Sequence, residues 1–159
     1  MFRKMRRFKQ ELTQEQTIDI LKACKTGILG VIGDNGYPYT VPINYVYQDN
    51  KIYIHCAKTG HKIDAIKSNN KVSFCVIERD DVVKEKLTTY YRSVIVFGTA
   101  RMLETDEEIF YAAESLGLKY NDDKEFIQKE IKQWFNGLCC VEISIDHITG
   151  KQSKDLANC

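Results

Sequence analysis

Apolar and polar residues alternate, or apolar residues run together, in six short segments of the chain, and this pattern is typical of β-strands. Turn-forming residues separate several of them. The strongest is Asp34-Asn35-Gly36, which favours a hairpin because Asn and Gly tolerate positive φ. Strands that follow one another through such turns predict an antiparallel barrel rather than a doubly wound parallel sheet. The six predicted strands cover about 28–32, 37–47, 51–56, 72–77, 91–103 and 138–145.

Helical patterns are confined to the N-terminal part of the chain and to intervals between strands. Thr13 and Gln16 have capping-box spacing and open a predicted helix that runs to about Cys24. Trp134-Phe135 is expected to pack the end of the last helix rather than to lid a pocket. The sequence therefore predicts an α+β fold that is mainly β, a six-stranded antiparallel barrel with peripheral helices. The three later helices are predicted over 61–68, about 106–118 and about 123–135.

The long strand predicted over 91–103 carries information about assembly. It is apolar on both faces around Val94-Ile95-Val96-Phe97, so its outer face needs a cover. In a chain of this size a second subunit is an economical cover, and we expect a homodimer. Pro38 and Pro42 cannot donate to a sheet ladder, so the strand that contains them is expected to lie at an edge or to bulge. The charged residues 78–88 are predicted to form a loop.

Composition and length bound the class of protein. With 159 residues, one domain over 1–159 is expected, and 43% hydrophobic with 28% charged residues is typical of soluble globular proteins. The net charge of +1, from 23 basic and 22 acidic residues, does not favour a nucleic-acid or membrane-surface partner. The absence of a membrane-helix or signal-peptide pattern predicts a cytoplasmic protein. The basic N-terminal arm, about 1–10, is either a solvated terminus or a contact for a phosphate or a neighbouring chain.

The cysteines are expected to be reduced. Most lie in apolar runs, and adjacent Cys139 and Cys140 would face opposite sides of one strand, so buried free thiols explain them better than disulfides. No Cys-x-x-Cys pair occurs and no histidine has ligand spacing to a cysteine, so no metal site is predicted. The six cysteines are Cys24, Cys56, Cys75, Cys139, Cys140 and Cys159.

The turn after the strand 51–56 is the segment that most strongly indicates a binding site. Small residues end the strand, and a helix begins at Gly60, followed by His61 and Lys62. The free N–H groups and positive dipole end of a helix attract anions, while Lys62 and Thr59 add a mobile charge and a hydroxyl donor. The pattern predicts a phosphate cradle, although an ordinary strand-to-helix turn with solvated ends has the same pattern.

Two other places carry candidate functional side chains. His55 shares a strand face with Tyr53, so it is expected to look away from the barrel core, toward a ligand or a partner subunit. There an imidazole donates a hydrogen bond or a proton near neutral pH; alternatively, it is a hydrogen-bonded packing residue. Arg92 and Ser93 lie at the start of the long strand, where they either reach a phosphate or belong to an interface strand.

Four segments have a distinctive order and spacing: GYPYTVPINY at 36–45, IYIHCAKTGHK at 52–62, YRSVIVFGTAR at 91–101 and HITGK at 147–151. Together they resemble the 5-nitroimidazole-resistance (Nim) branch of the pyridoxamine-phosphate-oxidase-like, FMN-binding split-barrel superfamily. The resemblance covers about residues 5 to 152 and is most distinctive in the third segment. The C-terminal Trp/Arg pattern that contacts flavin in the oxidase proper is not recognisable, which disfavours vitamin B6 oxidation.

The resemblance implies a homodimer with two FMN sites at the subunit interface. It places the strand 39–45 beside the flavin ring and the segment 55–62 around the ribityl and phosphate groups. His61 and Lys62 would meet the phosphate, and the partner's strand 91–97 would help to close the site. The cofactor contacts implied in this way are Thr40, Val41, Pro42, His55, Cys56, Ala57, Thr59, His61, Lys62, Arg92 and Ser93.

The implied function is that of an FMN-dependent oxidoreductase. It would reduce nitroaromatic, 5-nitroimidazole-like or related small molecules with electrons from NAD(P)H or another donor, with His55 as the candidate catalytic proton donor. A non-catalytic carrier or sensor that binds FMN or haem is the alternative, since relatives in this branch also bind haem, and haem would require an axial ligand such as His55 or His61. A third interpretation is a dimeric structural domain whose interface groove is empty.

Overall fold

A computed structural model describes residues 1–157 as one seven-stranded antiparallel sheet with five helices around it. The strands are β1 (Thr26–Ile32), β2 (Pro38–Asn44), β3 (Val46–Gln48), β4 (Lys51–Ala57), β5 (Lys71–Val83), β6 (Thr88–Met102) and β7 (Leu138–Gln152). The helices are α1 (Gln14–Ala23), α2 (His61–Ser68), α3 (Asp106–Tyr120), α4 (Lys124–Trp134) and α5 (Lys154–Ala157). The strands are hydrogen-bonded in the order β2-β1-β5-β6-β7-β4-β3.

The two strands at the ends of this order are neighbours in the chain, and this makes the sheet curl into an open barrel. β2 ends at Asn44 and β3 begins at Val46, so Tyr45 alone joins them. The opposite ends of the sheet therefore approach within about 7 Å at this seam. The prediction of six strands is thus wrong, because the segment 37–47 divides at Tyr45 into two strands that pair with different neighbours.

Tyr45 divides the strand because its side chain belongs to the core. It is fully buried, its hydroxyl donates to the carbonyl of Leu21 at 2.8 Å, and its ring meets that of Phe74 edge-on at 4.9 Å. The main core inside the barrel is built around such residues, including Leu29 on β1 and Ile52 on β4. None of the helices within residues 1–157 has the length and apolar character needed to span a bilayer.

The α3–α4 hairpin packs on the side of β3, β4 and β7 that faces away from the main core, and it forms a second core there. Tyr53 and Cys140 contribute from the sheet, while Leu116 and Ile127 contribute from the two helices. Cys139, the neighbour of Cys140, packs against the main core instead. The predicted opposite orientation of these two cysteines is therefore confirmed.

A buried carboxylate fastens this outer layer to the sheet. Glu142 on β7 is 4% exposed and accepts hydrogen bonds from Lys51 at 2.9 Å, Tyr53 at 3.2 Å and Arg101 at 3.0 Å. Arg101 also donates to Glu108, in the first turn of α3, at 2.7 Å. Burial alone raises the pKa of Glu142, but the hydrogen bonds from Arg101 and Lys51 outweigh it and hold the pKa below its ordinary value.

The predicted helices are confirmed to within two residues at each end, but the predicted end of β5, start of β6 and end of β7 are wrong. The loop predicted over 78–88 is reduced to a turn over 84–87, since β5 continues to Val83 and pairs with β6 from Thr88 onward. Charged side chains are tolerated there because they lie at the surface of this ribbon, where Arg79 pairs with Asp81. β7 continues to Gln152 instead of ending at 145, because a register shift opposite Phe97 and Gly98 lets the ladder resume.

The N-terminal arm lies at the surface, and the described cysteines are unpaired by disulfides. The basic side chains of the arm are exposed, and residues 8–10 form a 3₁₀ turn that ends at buried Gln10. Five cysteines are free thiols, as predicted, while Cys159 lies outside the described residues. The five are Cys24, Cys56, Cys75, Cys139 and Cys140.

Candidate functional site

His55 stands at the floor of a groove between β4 and the α3–α4 hairpin. The groove has a volume of about 550 Å³. The alternation along β4 is as predicted, because Ile52 and Ile54 are buried in the main core while His55 faces the other side. Tyr53, on the same side as His55, packs in the second core. His55 is the next residue on that face, just beyond the cover of the helices.

The walls of the groove are mostly apolar and come from α3 and α4. A few polar groups converge on it, among them His55 and Asn44 on the sheet side and Tyr120 at the end of α3. A pocket of several hundred Å³ with apolar walls and a few polar groups is typical of small-molecule sites. The apolar lining residues are Ala113, Leu116, Phe126, Ile127, Ile131, Trp134 and Leu138.

Two aromatic side chains at the rim were not predicted as site residues. Trp134 is 64% exposed and Phe126 is 50% exposed, although both line the groove. The expectation that Trp134-Phe135 packs a helix end rather than lids a pocket is therefore wrong for Trp134, whereas Phe135 packs against the second core as expected. The sequence does contain an indication of the two rim residues. Large aromatics occur on α4 beside Ile127 and Ile131, which form the buried face of that helix. Asn44 was not predicted as a site residue either, because it lines the groove only as a result of its position at the end of β2, beside the seam.

A polar network holds the end of α3 against the seam and so fixes the shape of the groove. The Tyr120 hydroxyl donates to the carbonyl of Lys25 at 2.6 Å and accepts from the Tyr45 N–H at 3.3 Å. Lys119 donates to the carbonyls of Cys24 and Tyr45, with its ammonium 3.9 Å from the centre of the Tyr45 ring. Burial removes water from Lys119 and lowers its pKa to about 8. The two carbonyls and the Tyr45 ring therefore take the place of water around the amino group.

The N-terminus of α2 lies at the end of β4 and offers backbone donors. Gly60 precedes the helix with φ of +132°, a conformation that favours glycine, and no described side chain caps it. The first N–H groups to bond within the helix are those of Ile63 and Asp64, both to the Gly60 carbonyl. The N–H groups of His61 and Lys62 precede them and lack intrahelical acceptors, which is the arrangement that attracts an anion.

Lys62 is close enough to the end of β4 to act on its side chains. The pKa of His55 is lowered by burial and, to a smaller extent, by the positive charge of Lys62. The same charge opposes the increase that burial causes in the pKa of Cys56. His61 turns the other way, stacks on Tyr39 at 4.3 Å and accepts from the Asp34 N–H at 3.4 Å. The charge of Lys62 is therefore felt at His55, whereas His61 lies against Tyr39 of β2.

A second surface, which we call the outer face, is formed by β2, β1, β5, β6 and β7. Cross-strand partners on it are small or apolar, and they form two neighbouring rows. Ile95 and Phe97 are 44% and 42% exposed, and Phe2 of the N-terminal arm stacks on His147 at 4.6 Å. The rows are Pro42, Ile28, Cys75, Ile95 and Thr149, and Thr40, Gly30, Ser73, Phe97 and His147.

The remaining predicted site residues lie on the outer face, against the main core, or in the turn before α2. Thr40 and Pro42 belong to the outer face, Val41 packs against the main core, and Ser93 pairs with exposed Ile77 on β5. Ala57 and Thr59 are exposed in the turn before α2, while Cys56 is half-buried.

Arg92 does not join the groove of its own chain. It is held by Gln152 at 3.2 Å and Glu78 at 3.7 Å, and its Nε is buried without a hydrogen-bond partner among the described residues. His55 pairs with Cys140 on β7, and Arg92 pairs with Gln152, twelve positions further on. This separation corresponds to about 40 Å of strand.

The fold is an open antiparallel barrel with an apolar groove and a helix end whose free N–H groups are suited to an anion, an architecture consistent with a split barrel. The chain belongs to the pyridoxamine 5'-phosphate oxidase family, whose family model matches residues 13–152. The superfamily predicted from the four sequence segments is therefore confirmed. Among curated proteins, none matches the chain significantly in sequence.

Solved structures share this fold. A candidate 5-nitroimidazole antibiotic resistance protein from Bacteroides thetaiotaomicron has a TM-score of 0.74 at 21% identity, over 89% of this chain and 86% of that chain. A FAD-binding protein from Mesorhizobium loti has a TM-score of 0.64 at 23% identity, over 91% and 98%. A FAD- and haem-binding protein from Mycobacterium smegmatis has a TM-score of 0.69 at 18% identity, over 92% and 74%.

Proposed function

We propose that this protein is an FMN-binding oxidoreductase of the Nim branch, active as a homodimer on nitroaromatic or related small molecules. One observation carries the proposal. The end of β4 leads directly to the start of α2, where Lys62 and free N–H groups lie, and His55 near that strand end lines an apolar groove of about 550 Å³. An anion-holding element therefore follows in the chain directly after a strand whose histidine lines a pocket of small-molecule size, and the charge of Lys62 is felt at that histidine.

The residues present fit a flavin mononucleotide. The N–H groups at the start of α2, the ammonium of Lys62 and the hydroxyl of Thr59 supply donors and positive charge for a phosphate. Thr40 and Pro42 offer a small outer-face surface along which a flat ring can lie, with Val41 between them in the strand. When bound, FMN would supply the electron transfer from NAD(P)H or another donor to the substrate.

The homodimer is proposed from the outer face and from Arg92. A face with exposed Ile95 and Phe97 is suited to burial against a second copy of the same face. The unpaired Nε of Arg92 is a donor that needs an acceptor. Since Arg92 and Ser93 do not reach the groove of their own chain, we propose that they serve the site of the partner subunit.

The groove is the proposed substrate site. Apolar walls and the aromatic rings of Phe126 and Trp134 favour a flat, weakly polar ring, and His55 donates a proton from its imidazole to the reduced substrate. Asn44 offers a neutral hydrogen bond on the same floor. Relatedness in fold to a candidate 5-nitroimidazole antibiotic resistance protein supports this substrate class.

Titration of the purified protein with FMN tests the phosphate site. We expect the Lys62→Ala variant to bind FMN about 10- to 100-fold more weakly than wild type, because a charge-assisted hydrogen bond contributes about 1.5–3 kcal/mol. Lys67→Ala, which removes an exposed lysine from the last turn of the same helix, is the matched control and is expected to bind like wild type. Equal affinity in the Lys62 and Lys67 variants would remove the proposed phosphate contact.

Light scattering during gel filtration tests the dimer. Ile95→Lys places a charge in the middle of the outer face, so we expect this variant to be monomeric and to retain FMN poorly. Val82→Lys is the control, because Val82 is 74% exposed on the β5–β6 ribbon. A dimer that survives Ile95→Lys unchanged would contradict the proposed interface.

A non-catalytic carrier of flavin or haem is the second candidate. It is favoured by the shared fold with a FAD- and haem-binding protein and by the imidazole of His55 in a groove of suitable size. His61 is less suited as an axial ligand, since its ring stacks on Tyr39 and Nε2 accepts from Asp34. Titration with haem, followed by its visible spectrum in wild type and His55→Ala, separates the two candidates. The empty structural domain is disfavoured because a groove adjoins the end of β4.

A further inference from the structure

Two cysteine side chains meet across the ends of β4 and β7. Cys56 and Cys139 are direct cross-strand partners, and the Cys139 thiol is close enough to contribute to the raised pKa of Cys56. Cys140 points into the second core, where it is fully buried with its thiol 3.8 Å from the carbonyl of Ile109. The first two cysteines thus form a close pair, while the third is separated from them by the sheet.

The geometry of this pair allows a disulfide. Cα atoms of directly opposed residues in an antiparallel ladder lie about 4.5–5.5 Å apart, within the range of about 4.4–6.8 Å found across disulfides. Closing the bond requires the two Cβ atoms to move slightly closer than in an average ladder pair. The next pair, Ala57 and Leu138, is the last in this ladder, so the chain can make this adjustment at the strand ends.

The two sulfurs differ in access. Cys139 lines a cavity of about 440 Å³ near the start of β7, together with Lys58 and Lys67. Both cysteines are half-buried, but Cys56 does not line this cavity, and burial together with the adjacent Cys139 raises the pKa of Cys56 to about 12. A dissolved oxidant therefore meets Cys139 first, and Cys56 is placed to react second.

We propose that Cys56 and Cys139 are a redox modification site and form a reversible intrachain disulfide with peroxides. The Cys139 sulfur attacks one peroxide oxygen, the O–O bond breaks, and the other oxygen leaves as water or an alcohol. The Cys56 sulfur then attacks the resulting sulfenic acid, forms the S–S bond and releases water. Two thiols lose two electrons and two protons in total, and the peroxide gains them.

The cross-link has a consequence for the proposed cofactor site, and this part rests on the proposed function. Cys56 directly precedes the turn that leads from β4 to Lys62. Drawing it toward β7 displaces the start of that turn, and with it the donors proposed to hold the phosphate. Oxidation is therefore expected to weaken FMN binding, on the order of tenfold.

Intact mass and peptide mapping of the full chain test the disulfide without reference to FMN. After treatment with stoichiometric hydrogen peroxide, wild type is expected to lose two hydrogen atoms, to yield a Cys56–Cys139 cross-linked peptide and to recover both hydrogens with dithiothreitol. Cys139→Ser and Cys56→Ser should not form this cross-link. Cys140→Ala, which removes the neighbouring thiol, and Cys75→Ser, which removes a half-buried thiol elsewhere, should still form it. Oxidation to sulfinic acid without a cross-link, or a cross-link that persists in Cys139→Ser, would overturn the proposal.

FMN titration of the oxidised proteins tests the coupling separately. Weaker binding by oxidised wild type, reversed by dithiothreitol and absent from peroxide-treated Cys139→Ser, would support it. Equal affinity before and after cross-linking would overturn the coupling. If reduced wild type fails to bind FMN, the proposed function fails, whereas the mass measurement still decides whether the disulfide forms.

Discussion

The His55→Ala variant is expected to reduce a nitroaromatic substrate with a kcat roughly 100-fold or more below that of wild type, while it keeps its bound FMN. The imidazole of His55 lies on the floor of the groove, and its loss leaves neutral Asn44 as the nearest polar group from the strands. The retained flavin is measured by its visible absorption, and kcat is measured by the consumption of NAD(P)H. This separation of binding from turnover distinguishes a proton donor from a residue that only supports the cofactor.

The pH dependence of kcat provides a second measurement on His55. Burial and the charge of Lys62 lower the pKa of this imidazole below its ordinary 6.5. The protonated donor is therefore abundant only below that value, and the kcat of wild type should fall as pH rises through the lowered pKa. The profile should be flat over this range in His55→Gln, and unchanged in Glu130→Gln, which alters another ionisable group of the groove. Wild-type turnover and an unaltered profile in both His55 variants would eliminate the proposed role.

The Glu142→Ala variant is expected to lose about 2–4 kcal/mol of unfolding free energy, because it leaves charges that were paired with a buried carboxylate. Lys51 and Arg101 are 38% and 48% exposed, so water relieves part of the loss and keeps it below the largest values for buried pairs. Urea unfolding at neutral pH measures the change. Asp146→Ala, which removes a more exposed carboxylate from the same strand, should cost much less.

The pH dependence of the free energy of unfolding tests the same cluster of Glu142, Lys51 and Arg101. Because the pKa of Glu142 is lowered in the folded protein, its contribution is present at neutral pH and is lost as pH falls below about 4.5 toward the folded value. Glu142→Gln should lack this component of acid sensitivity. If Glu142→Ala unfolds at the same urea concentration as wild type, Arg101 and Lys51 do not depend on the carboxylate to hold α3 on the sheet.

Local patterns in the sequence were sufficient for the elements that short-range physics controls. The capping box of Thr13 and Gln16 forms as predicted at the start of α1. The turn at Asn35 and Gly36 has φ of 57° and 76°, values that these residues tolerate. The alternation along 51–57 placed His55 opposite the core because side chains in a strand alternate with a period of two.

Local sequence patterns failed to predict the structure where the burial of a residue depends on a distant part of the chain. Tyr45 divides β2 from β3 because its ring reaches the core and its hydroxyl reaches Leu21, and neither contact is visible in local spacing. Residues 79–83 pair with β6 in a ribbon at the surface, so no buried hydrophobic face gives their sequence the pattern of a strand. Trp134 stands at the rim of a groove instead of against the helix end, because α4 already buries Ile127 and Ile131.

The sequence by itself determined the mainly antiparallel architecture, the helices and the segment in which His55 and Lys62 occur together, because these follow from local periodicity and turn chemistry. Only the tertiary structure decided that Asn44 and the aromatics of α4 share a groove with His55. That arrangement depends on the closure of the barrel at Tyr45 and on the packing of α3–α4 against the sheet, both of which join residues far apart in the chain. The separation of Arg92 from the groove is likewise set by strand pairing, and the proposal that Arg92 serves the site of a second copy follows from it.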